Sequence, residues 1–320
     1  MARRGDGWVL WSDGRLVPED GFGLPVGDAG FVLGATVTEQ LRTFRGRLFL
    51  PDEHLRRLAG SLAIVGIDPG FSPAEIEAAA AEVAARNQAS LAASRPAAAL
   101  PPDQGVVIFV TPGDLPAQHG GRGGPPRVVV HSFPLAFASW AAAYDGGVAL
   151  RTVSVRQVPE ACWPIRAKVR SRLHYVLADR EAQAVEPGAR AVLAHDDGRI
   201  SETSTANVAV VRGGAVTSPP PADALAGVSL GHARRLAGRL GIGWREASLT
   251  AADLAAADEI LLTSTPNCML PATRLDGRPV GTGAPGPAYR AILGAWGADV
   301  GLDVAAQARE WAGRVGDAAG

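Results

Sequence analysis

The pattern of apolar and polar positions predicts two strand hairpins at the start of the chain. Two pairs of short apolar runs, 8–11 with 15–17 and 37–44 with 47–50, each flank a turn that contains glycine. Between the two pairs, residues 27–34 are rich in glycine, which predicts a loop without regular structure. The chain therefore opens as a β-rich region.

Two helices are predicted next. Leucine and valine recur at spacings of three and four over residues 54–67, which is the period of an amphipathic helix. A second helix starts at Ser72 and reaches about Arg86. From 87 to 104 the composition changes to Ala, Ser and Pro, which predicts a surface insertion of low order.

Two apolar runs after this insertion predict buried strands at 106–111 and 127–131. The glycine tract between them lacks the Gly-Lys-Ser/Thr ending of a phosphate loop, and no helix pattern follows it, so we interpret it as a turn. The predicted organisation is a small N-terminal domain at 1–132, a connection at 133–144 and a larger domain at 145–320.

The C-terminal half reads as strands interrupted by helices. Val169, Leu173, Val176 and Leu177 would share one helix face, which Ala182 and Val185 continue. This pattern places Lys168 at or just before the first turn of that helix. The predicted strands are 148–158, 191–195, 199–202, 207–211, 215–217 and 259–263. Further helices are predicted to start near Leu225 and at Thr250 and to follow Val304. This mixture predicts an α+β fold.

Composition narrows the class of protein. The chain has 320 residues, 47% of them hydrophobic and 20% charged, which is typical of a globular protein with more than one domain. The formal net charge of −1 gives no indication of a nucleic-acid or membrane partner. The N-terminus lacks the apolar segment of a signal peptide, so we expect a cytoplasmic protein. Two distant cysteines and scattered histidines predict neither a disulfide framework nor a metal site.

Lys168 is the only lysine in the chain, against thirty arginines. A guanidinium stays protonated under ordinary conditions, whereas an amine can lose its proton and attack a carbonyl. Arg166, Arg170 and Arg172 surround the lysine in sequence, and like charges favour its neutral form. Lys168 is therefore a candidate nucleophile, although a single lysine could also survive by chance on a solvated surface.

An imine-forming lysine suggests pyridoxal phosphate, which needs an amine, an acid beside its ring nitrogen and an anion site for its phosphate. Glu202 is the candidate acid, and Asn207 could orient it. The phosphate candidates are the backbone N–H groups of Val228 and Ser229 at a helix start, with Arg57 and Thr265. Taken alone, a residue such as Glu202 is more often an exposed strand residue and one such as Arg57 a solvated helix charge, and Asn207 could simply finish a turn.

Several motifs in one order resemble the class IV aminotransferases, the fold-type IV pyridoxal-phosphate enzymes. They are Asp28-x-Gly30-Phe31-x-x-Gly34 with Glu39, His54-Leu55-Arg56-Arg57-Leu58, Ala167-Lys168, Gly198-x-x-x-Glu202-x-x-x-x-Asn207, Gly227-Val228-Ser229 and Thr263-Ser264-Thr265. The resemblance implies a small α/β-sandwich-like N-terminal domain, a larger pseudo-barrel domain, and a homodimer with the cofactor between the two domains. It also implies that Lys168 bonds the cofactor, that Glu202 partners its ring nitrogen, and that Arg57, Val228, Ser229 and Thr265 hold its phosphate, with Gly227 and Asn207 beside them.

The resemblance implies a substrate pocket walled by the glycine loop and the strand after it, where Phe31, Leu33, Thr38 and Arg42 are the candidates. Branched-chain enzymes of this family usually carry a tyrosine at the position of Leu33 and an aromatic residue at that of Thr38. The phrase Lys168-x-x-x-Arg172-Leu173 resembles the aminodeoxychorismate lyase branch. An aminotransferase acting on an amino acid and a 2-oxo acid, branched-chain-like, is the leading hypothesis. The lyase is the alternative, and retention of the lysine argues against a scaffold without activity.

Overall fold

The structure is a computed structural model that describes residues 7–93 and 102–316. By contacts the chain forms two compact units. Unit 1 comprises Met1–Leu135 and Ala167–Ser171, and unit 2 comprises Ala136–Arg166 and Arg172–Gly320. The short segment with Lys168, which the sequence pattern assigned to the larger domain, thus makes its contacts with the N-terminal residues.

Unit 1 is a six-stranded sheet with helices on one face. Its elements are β1 (Val9–Ser12), β2 (Arg15–Pro18), α1 (Ala29–Val32), β3 (Val37–Phe44), β4 (Arg47–Leu48), α2 (Pro51–Val65), α3 (Pro73–Ala93), β5 (Gln104–Thr111) and β6 (Arg127–Pro134). The strand order is β2-β1-β6-β5-β3-β4, and all neighbours pair antiparallel. Alternate residues of β3, β5 and β6 point toward α2 and α3, and these include Val37, Val106, Ile108, Val128 and Val130. Both predicted hairpins and the amphipathic helix are confirmed, although β4 ends two residues early.

The predicted insertion at 87–104 is wrong over its described residues. Helix α3 continues to Ala93, and β5 already begins at Gln104. Asn87 is fully buried, and its side chain accepts from the N–H of Val9 at 2.9 Å and donates to the Val9 carbonyl at 2.8 Å. The sequence prediction missed this contact because the stretch is rich in alanine, and a single buried polar residue such as Asn87 produces no periodic pattern. Residues 94–101 lie outside the described part of the chain.

The glycine-rich stretch 27–34 is also more ordered than its composition predicts. Asp28 caps the single-turn helix α1 by accepting from the N–H of Gly30 at 2.7 Å. The other oxygen of this buried carboxylate accepts from Thr111 Oγ1 at 2.8 Å and from Arg127 Nη1 at 2.6 Å. The loop is therefore held by contacts distant in sequence, which its local composition could not show.

Unit 2 contains a nine-stranded sheet, part of which closes on itself. Its strands are β7 (Val148–Arg156), β8 (Arg190–Ala194), β9 (Ile200–Thr203), β10 (Asn207–Arg212), β11 (Ala215–Ser218), β12 (Trp244–Glu246), β13 (Glu259–Ser264), β14 (Cys268–Leu275) and β15 (Arg278–Pro279). Strands β10-β13-β14-β7-β8-β9 run in order, and β9 pairs again with β10. This ring of six strands confirms the pseudo-barrel expected for the larger domain.

Helices pack on this barrel. They are α4 (Ala143–Gly146), α5 (Leu173–Val185), α6 (Val228–Arg239), α7 (Ala251–Ala255), α8 (Pro287–Val300) and α9 (Val304–Gly316). The predicted helices after Leu225, Thr250 and Val304 are confirmed, while β14 and α8 had no prediction. None of the helices in residues 7–93 and 102–316 combines the length and apolarity that a membrane span requires.

The predicted helix after Lys168 is wrong in its start, and of the residues predicted for its buried face only Ala182 is buried. Val169 forms an isolated bridge with Val37, and the helix begins only at Leu173. Leu173 is 70% exposed, whereas the buried residues of α5 are Ala178 and Ala182. Ala178 and Ala182 pack against Val153, Ala191 and Leu193 of the barrel, while larger apolar side chains of α5 stay exposed in the single chain.

Candidate active site

Lys168 lies on an extended segment fixed along the N-terminal half of β3. Its N–H donates to Ser61 Oγ at 3.0 Å, and its carbonyl accepts from the N–H of Thr38 at 3.0 Å. The N–H of Arg170 donates to the Thr36 carbonyl at 2.9 Å. The backbone of Lys168 is thus hydrogen-bonded on both sides of Cα, which restricts where its side chain begins. A nucleophile benefits from such a fixed position.

Ser61 connects this segment to helix α2. Its buried hydroxyl accepts from Lys168 and donates to the carbonyl of Arg57 at 3.0 Å. No pattern in the sequence indicated Ser61, because a serine inside a helix more often bonds only its own backbone.

Arg57, a predicted phosphate ligand, is held by a buried carboxylate. Its Nε donates to Glu39 Oε2 at 2.9 Å and its Nη2 to Glu39 Oε1 at 2.6 Å, a bidentate pair. His54 Nδ1 lies 3.0 Å from the same Oε1. Burial acts to raise the pKa of Glu39, but Arg57 and His54 together hold it well below its usual range. The cluster therefore keeps an ionised carboxylate and an oriented guanidinium.

The four residues predicted for the substrate pocket fall into two groups within unit 1. Phe31 and Leu33 are exposed side chains of the glycine loop. Thr38 is buried and donates through Oγ1 to the Ile108 carbonyl at 3.1 Å. Arg42 is also buried, with its guanidinium 3.9 Å from the ring centroid of Phe44. Thr38 and Arg42 occupy alternate positions of β3 and so share one of its faces.

In unit 2, Glu202 and Asn207 lie side by side on paired strands. The two residues are register partners across β9 and β10, and Asn207 Nδ2 donates to Glu202 Oε2 at 3.0 Å. The same amide nitrogen donates to the Leu225 carbonyl at 2.8 Å, which ties the loop before α6 to this position. Glu202 is buried and not the exposed strand residue of the alternative interpretation.

Two residues that the sequence did not single out complete this cluster. Tyr175 on α5 donates its hydroxyl hydrogen to Glu202 Oε1 at 2.7 Å. Gln157, just after β7, donates to the Tyr175 oxygen at 3.1 Å and to Ser201 Oγ at 3.0 Å. Burial and the neighbouring Glu202 raise the pKa of Tyr175 well above its usual value, so the phenol stays protonated. No sequence spacing joins an α5 residue to a strand end, which is why this pair was missed.

The N-terminus of α6 has the form expected for an anion site. Gly227 is the residue before the first turn, and Val228 and Ser229 follow it with their N–H groups in that turn. A Cβ at Gly227 would lie 1.8 Å from Asn207 Oδ1, so only glycine fits this close approach. The first turn of α6 therefore lies directly against the Asn207 side chain, whose amide donates to Glu202.

Thr265, the remaining predicted phosphate ligand, lies half-buried in the turn between β13 and β14. Its neighbour Thr263 is the register partner of Asn207, and both residues face the same side of the sheet. The Thr263 hydroxyl is buried and has no hydrogen-bond partner among the described residues. A buried donor of this kind suits a ligand oxygen.

Taken unit by unit, these residues fit pyridoxal phosphate. Unit 2 offers the Glu202 carboxylate, with a neutral donor on each oxygen. It also offers the N-terminus of α6 and the buried hydroxyl of Thr263. Unit 1 offers the only lysine and a guanidinium in a fixed orientation. No group of three or more potential metal-ligating side chains occurs within residues 7–93 and 102–316.

The sequence matches known proteins over most of its length. The amino-transferase class IV family model matches residues 36–275. A D-alanine aminotransferase of Bacillus licheniformis is 30% identical over 279 residues, which cover 86% of this chain and 91% of that protein.

Solved structures with the same fold include branched-chain amino acid aminotransferases. The enzyme from T.th., solved with pyridoxamine 5′-phosphate, has a TM-score of 0.80 at 25% identity, over 92% of this chain and 95% of that one. The Thermoproteus uzoniensis enzyme with norvaline has a TM-score of 0.79 at 26% identity and the same coverage of both chains.

These matches confirm the resemblance seen in the motifs and the expected fold class, aminotransferase activity and cofactor. Family model, sequence relatives and solved structures agree, and they span the described parts of both units. The chain belongs to the class IV aminotransferase family, whose members are enzymes that depend on pyridoxal phosphate.

Proposed function

We propose that this enzyme transfers the amino group of a small aliphatic amino acid to a 2-oxo acid, with Lys168 as the nucleophile. Bound pyridoxal phosphate supplies the aldehyde and the electron-withdrawing ring. Lys168 Nζ would hold the cofactor through this aldehyde, and its amine would take up the proton that leaves the substrate Cα. The observation that carries this proposal is the only lysine of the chain, held by its backbone on both sides at the edge of β3.

The other predicted residues divide the remaining tasks. Glu202 partners the ring nitrogen, with Asn207 orienting its carboxylate. Arg57, Thr265 and the first N–H groups of α6, those of Val228 and Ser229, hold the phosphate. Gly227 leaves room for Asn207 beside that helix start.

The substrate assignment rests on the pocket candidates and on the relatives. Phe31 and Leu33 present apolar surface that suits an aliphatic side chain, and Thr38 adds no bulk. Arg42 contacts Phe44 and its own strand, so its contribution is to shape the pocket wall from behind. The names of the relatives, D-alanine and branched-chain aminotransferases, are consistent with a donor of this size.

We further propose a homodimer in the cytoplasm. Apolar side chains outside the proposed pocket stay exposed in both units, among them Val26 in unit 1 and Leu173 and Val176 in unit 2. Such surface in a protein of this size suggests association.

Borohydride reduction followed by peptide mapping tests the nucleophile. The cofactor should be fixed on the peptide that contains Lys168, and Lys168→Arg should abolish both the label and turnover because a guanidinium cannot attack the aldehyde. The double variant Lys168→Arg with Arg166→Lys is the matched control, since it restores an amine two residues away. If that variant recovers activity, the fixed backbone position is not what matters.

A parallel assay separates transfer from the lyase reaction. Amino-group exchange with D-alanine, L-alanine and L-leucine as donors is measured beside aminobenzoate release from aminodeoxychorismate. We expect exchange with at least one donor and no aminobenzoate. Aminobenzoate release without exchange would instead support the lyase, for which the phrase Arg172-Leu173 is the motivating feature.

A further inference from the structure

The hydrogen bonds around Tyr175 run in one direction. Gln157 Oε1 accepts from the N–H of Val158 at 2.8 Å, which fixes the orientation of the amide and turns its NH₂ group toward Tyr175 and Ser201. Since the Tyr175 oxygen accepts from this NH₂ group, its single hydrogen is directed to Glu202 Oε1, 2.7 Å away. The sequence of donors is therefore Gln157, then Tyr175, then the carboxylate.

This arrangement favours the ionised form of Glu202. A carboxylate is stabilised by each hydrogen bond it accepts, and here a phenol serves one oxygen and an amide the other. Arg172 lies over the Tyr175 ring with its guanidinium carbon 4.8 Å from the centroid, and a cation at that distance makes the phenol a stronger donor. A carboxylate stabilised in this way binds a proton less tightly, so a proton shared between Glu202 and a hydrogen-bonded base stays on the base.

We propose that Tyr175 is a positioning residue which, through Glu202, keeps the proton of the cofactor ring on the pyridine nitrogen. The proposal rests on the proposed function, in which Glu202 faces that nitrogen. Tyr175 itself touches neither substrate nor cofactor in this scheme. Gln157 strengthens the effect by fixing the direction of the phenol, so its loss should act in the same sense but more weakly.

The test is the ¹⁵N NMR shift of pyridoxal phosphate labelled at its ring nitrogen and bound to the holoenzyme at neutral pH. Tyr175→Phe removes only the hydroxyl. The shift should move from the protonated toward the neutral pyridine position, with the proton equilibrium between nitrogen and carboxylate changed about tenfold, as expected from the loss of one hydrogen bond to a charged group. The kcat should fall by about the same factor, with the KM for the amino donor unchanged.

Tyr289→Phe is the matched control. It removes another buried hydroxyl of unit 2, one that donates to the Tyr144 carbonyl at 3.2 Å, and should leave the ¹⁵N shift unchanged. Gln157→Met is the graded variant and keeps the proposal testable if Tyr175→Phe folds poorly. Its shift should lie between those of the wild type and Tyr175→Phe.

A wild-type ¹⁵N shift in both Tyr175→Phe and Gln157→Met, with only the melting temperature lowered, would show that Tyr175 is structural and overturn the proposal. Failure of the proposed function looks different. In that case wild-type enzyme takes up no labelled cofactor, or its ring nitrogen is unprotonated before any substitution is made.

Discussion

Glu39 and Glu202 are both buried carboxylates, and their neighbours give them different roles. Glu39 accepts from a guanidinium and lies against His54, so its charge is largely neutralised within unit 1. Glu202 accepts from a phenol and an amide, which are neutral donors and add no positive charge of their own. An ionised carboxylate with neutral donors suits a cationic partner such as a pyridinium.

Glu39→Gln should destabilise the protein because Arg57 then lacks its carboxylate. Removing one partner of a buried ion pair costs about 3–5 kcal/mol. Glu82→Gln, which breaks the exposed pair with Arg86, should cost about 0.5 kcal/mol or less. Urea unfolding of both variants beside wild type measures the difference.

The destabilisation should depend on pH in a defined direction. The pKa of Glu39 is lowered in the folded state, so its contribution is complete above the unfolded pKa of about 4.3 and is lost as the pH falls below it. Wild type and Glu39→Gln should therefore approach each other in stability as the solution is acidified. A gap that is constant down to strongly acidic pH would contradict the ion pair.

Glu202→Gln should retain the cofactor, since phosphate contacts carry much of the affinity, but slow the removal of the Cα proton. A charge-assisted hydrogen bond of about 1.5–3 kcal/mol corresponds to a kcat lowered on the order of 10- to 100-fold. Single-turnover kinetics with a Cα-deuterated donor, on enzymes saturated with pyridoxal phosphate, should show an isotope effect at least as large as in wild type. A loss confined to substrate affinity would place Glu202 outside the chemistry.

At the scale of elements, the start of α6 depends on the absence of a side chain at Gly227. Gly227→Ala places a methyl group against Asn207 and must displace either the amide or the first turn. We expect the Kd for pyridoxal phosphate to rise at least about tenfold, the factor that corresponds to about 1.4 kcal/mol. Titration of the apoenzyme with cofactor measures it.

Gly238→Ala in the last turns of the same helix is the control for this prediction. No atom lies within 4 Å of a Cβ there, so alanine should stabilise the helix by up to about 1 kcal/mol and leave cofactor binding unchanged. If the two variants weaken the cofactor equally, the helix start is not the phosphate site.

At the scale of the whole molecule, exposed apolar side chains outside the proposed pocket, such as Val26, Leu173 and Val176, suggest that the chain associates. We expect light scattering at micromolar concentration to give about twice the chain mass of 33.0 kDa. Because apolar association weakens on dilution, the mass should fall only at much lower concentration. A mass of one chain at every concentration would exclude the homodimer.

The sequence by itself identified the candidate chemistry-bearing residues and most of the regular elements. The only lysine, the motif around Glu202 and Asn207, and the glycine before α6 were all found from residue type and order. The hairpins, the meander and the amphipathic helix α2 followed from local periodicity, because alternation and helical spacing are properties of neighbouring residues. These signals need no knowledge of the rest of the chain.

Only the tertiary structure decided how these residues are held. Lys168 belongs to an extended segment on β3, more than a hundred residues away in sequence, and not to the helix that its apolar neighbours suggested. Tyr175 meets Glu202 because α5 packs against β7 and β8 through Ala178 and Ala182, and a contact between distant segments is not recorded in local hydrophobicity patterns. Buried polar side chains such as Asn87 and Gln157 take their roles from single hydrogen bonds to distant partners, and a single hydrogen bond leaves no period in the sequence.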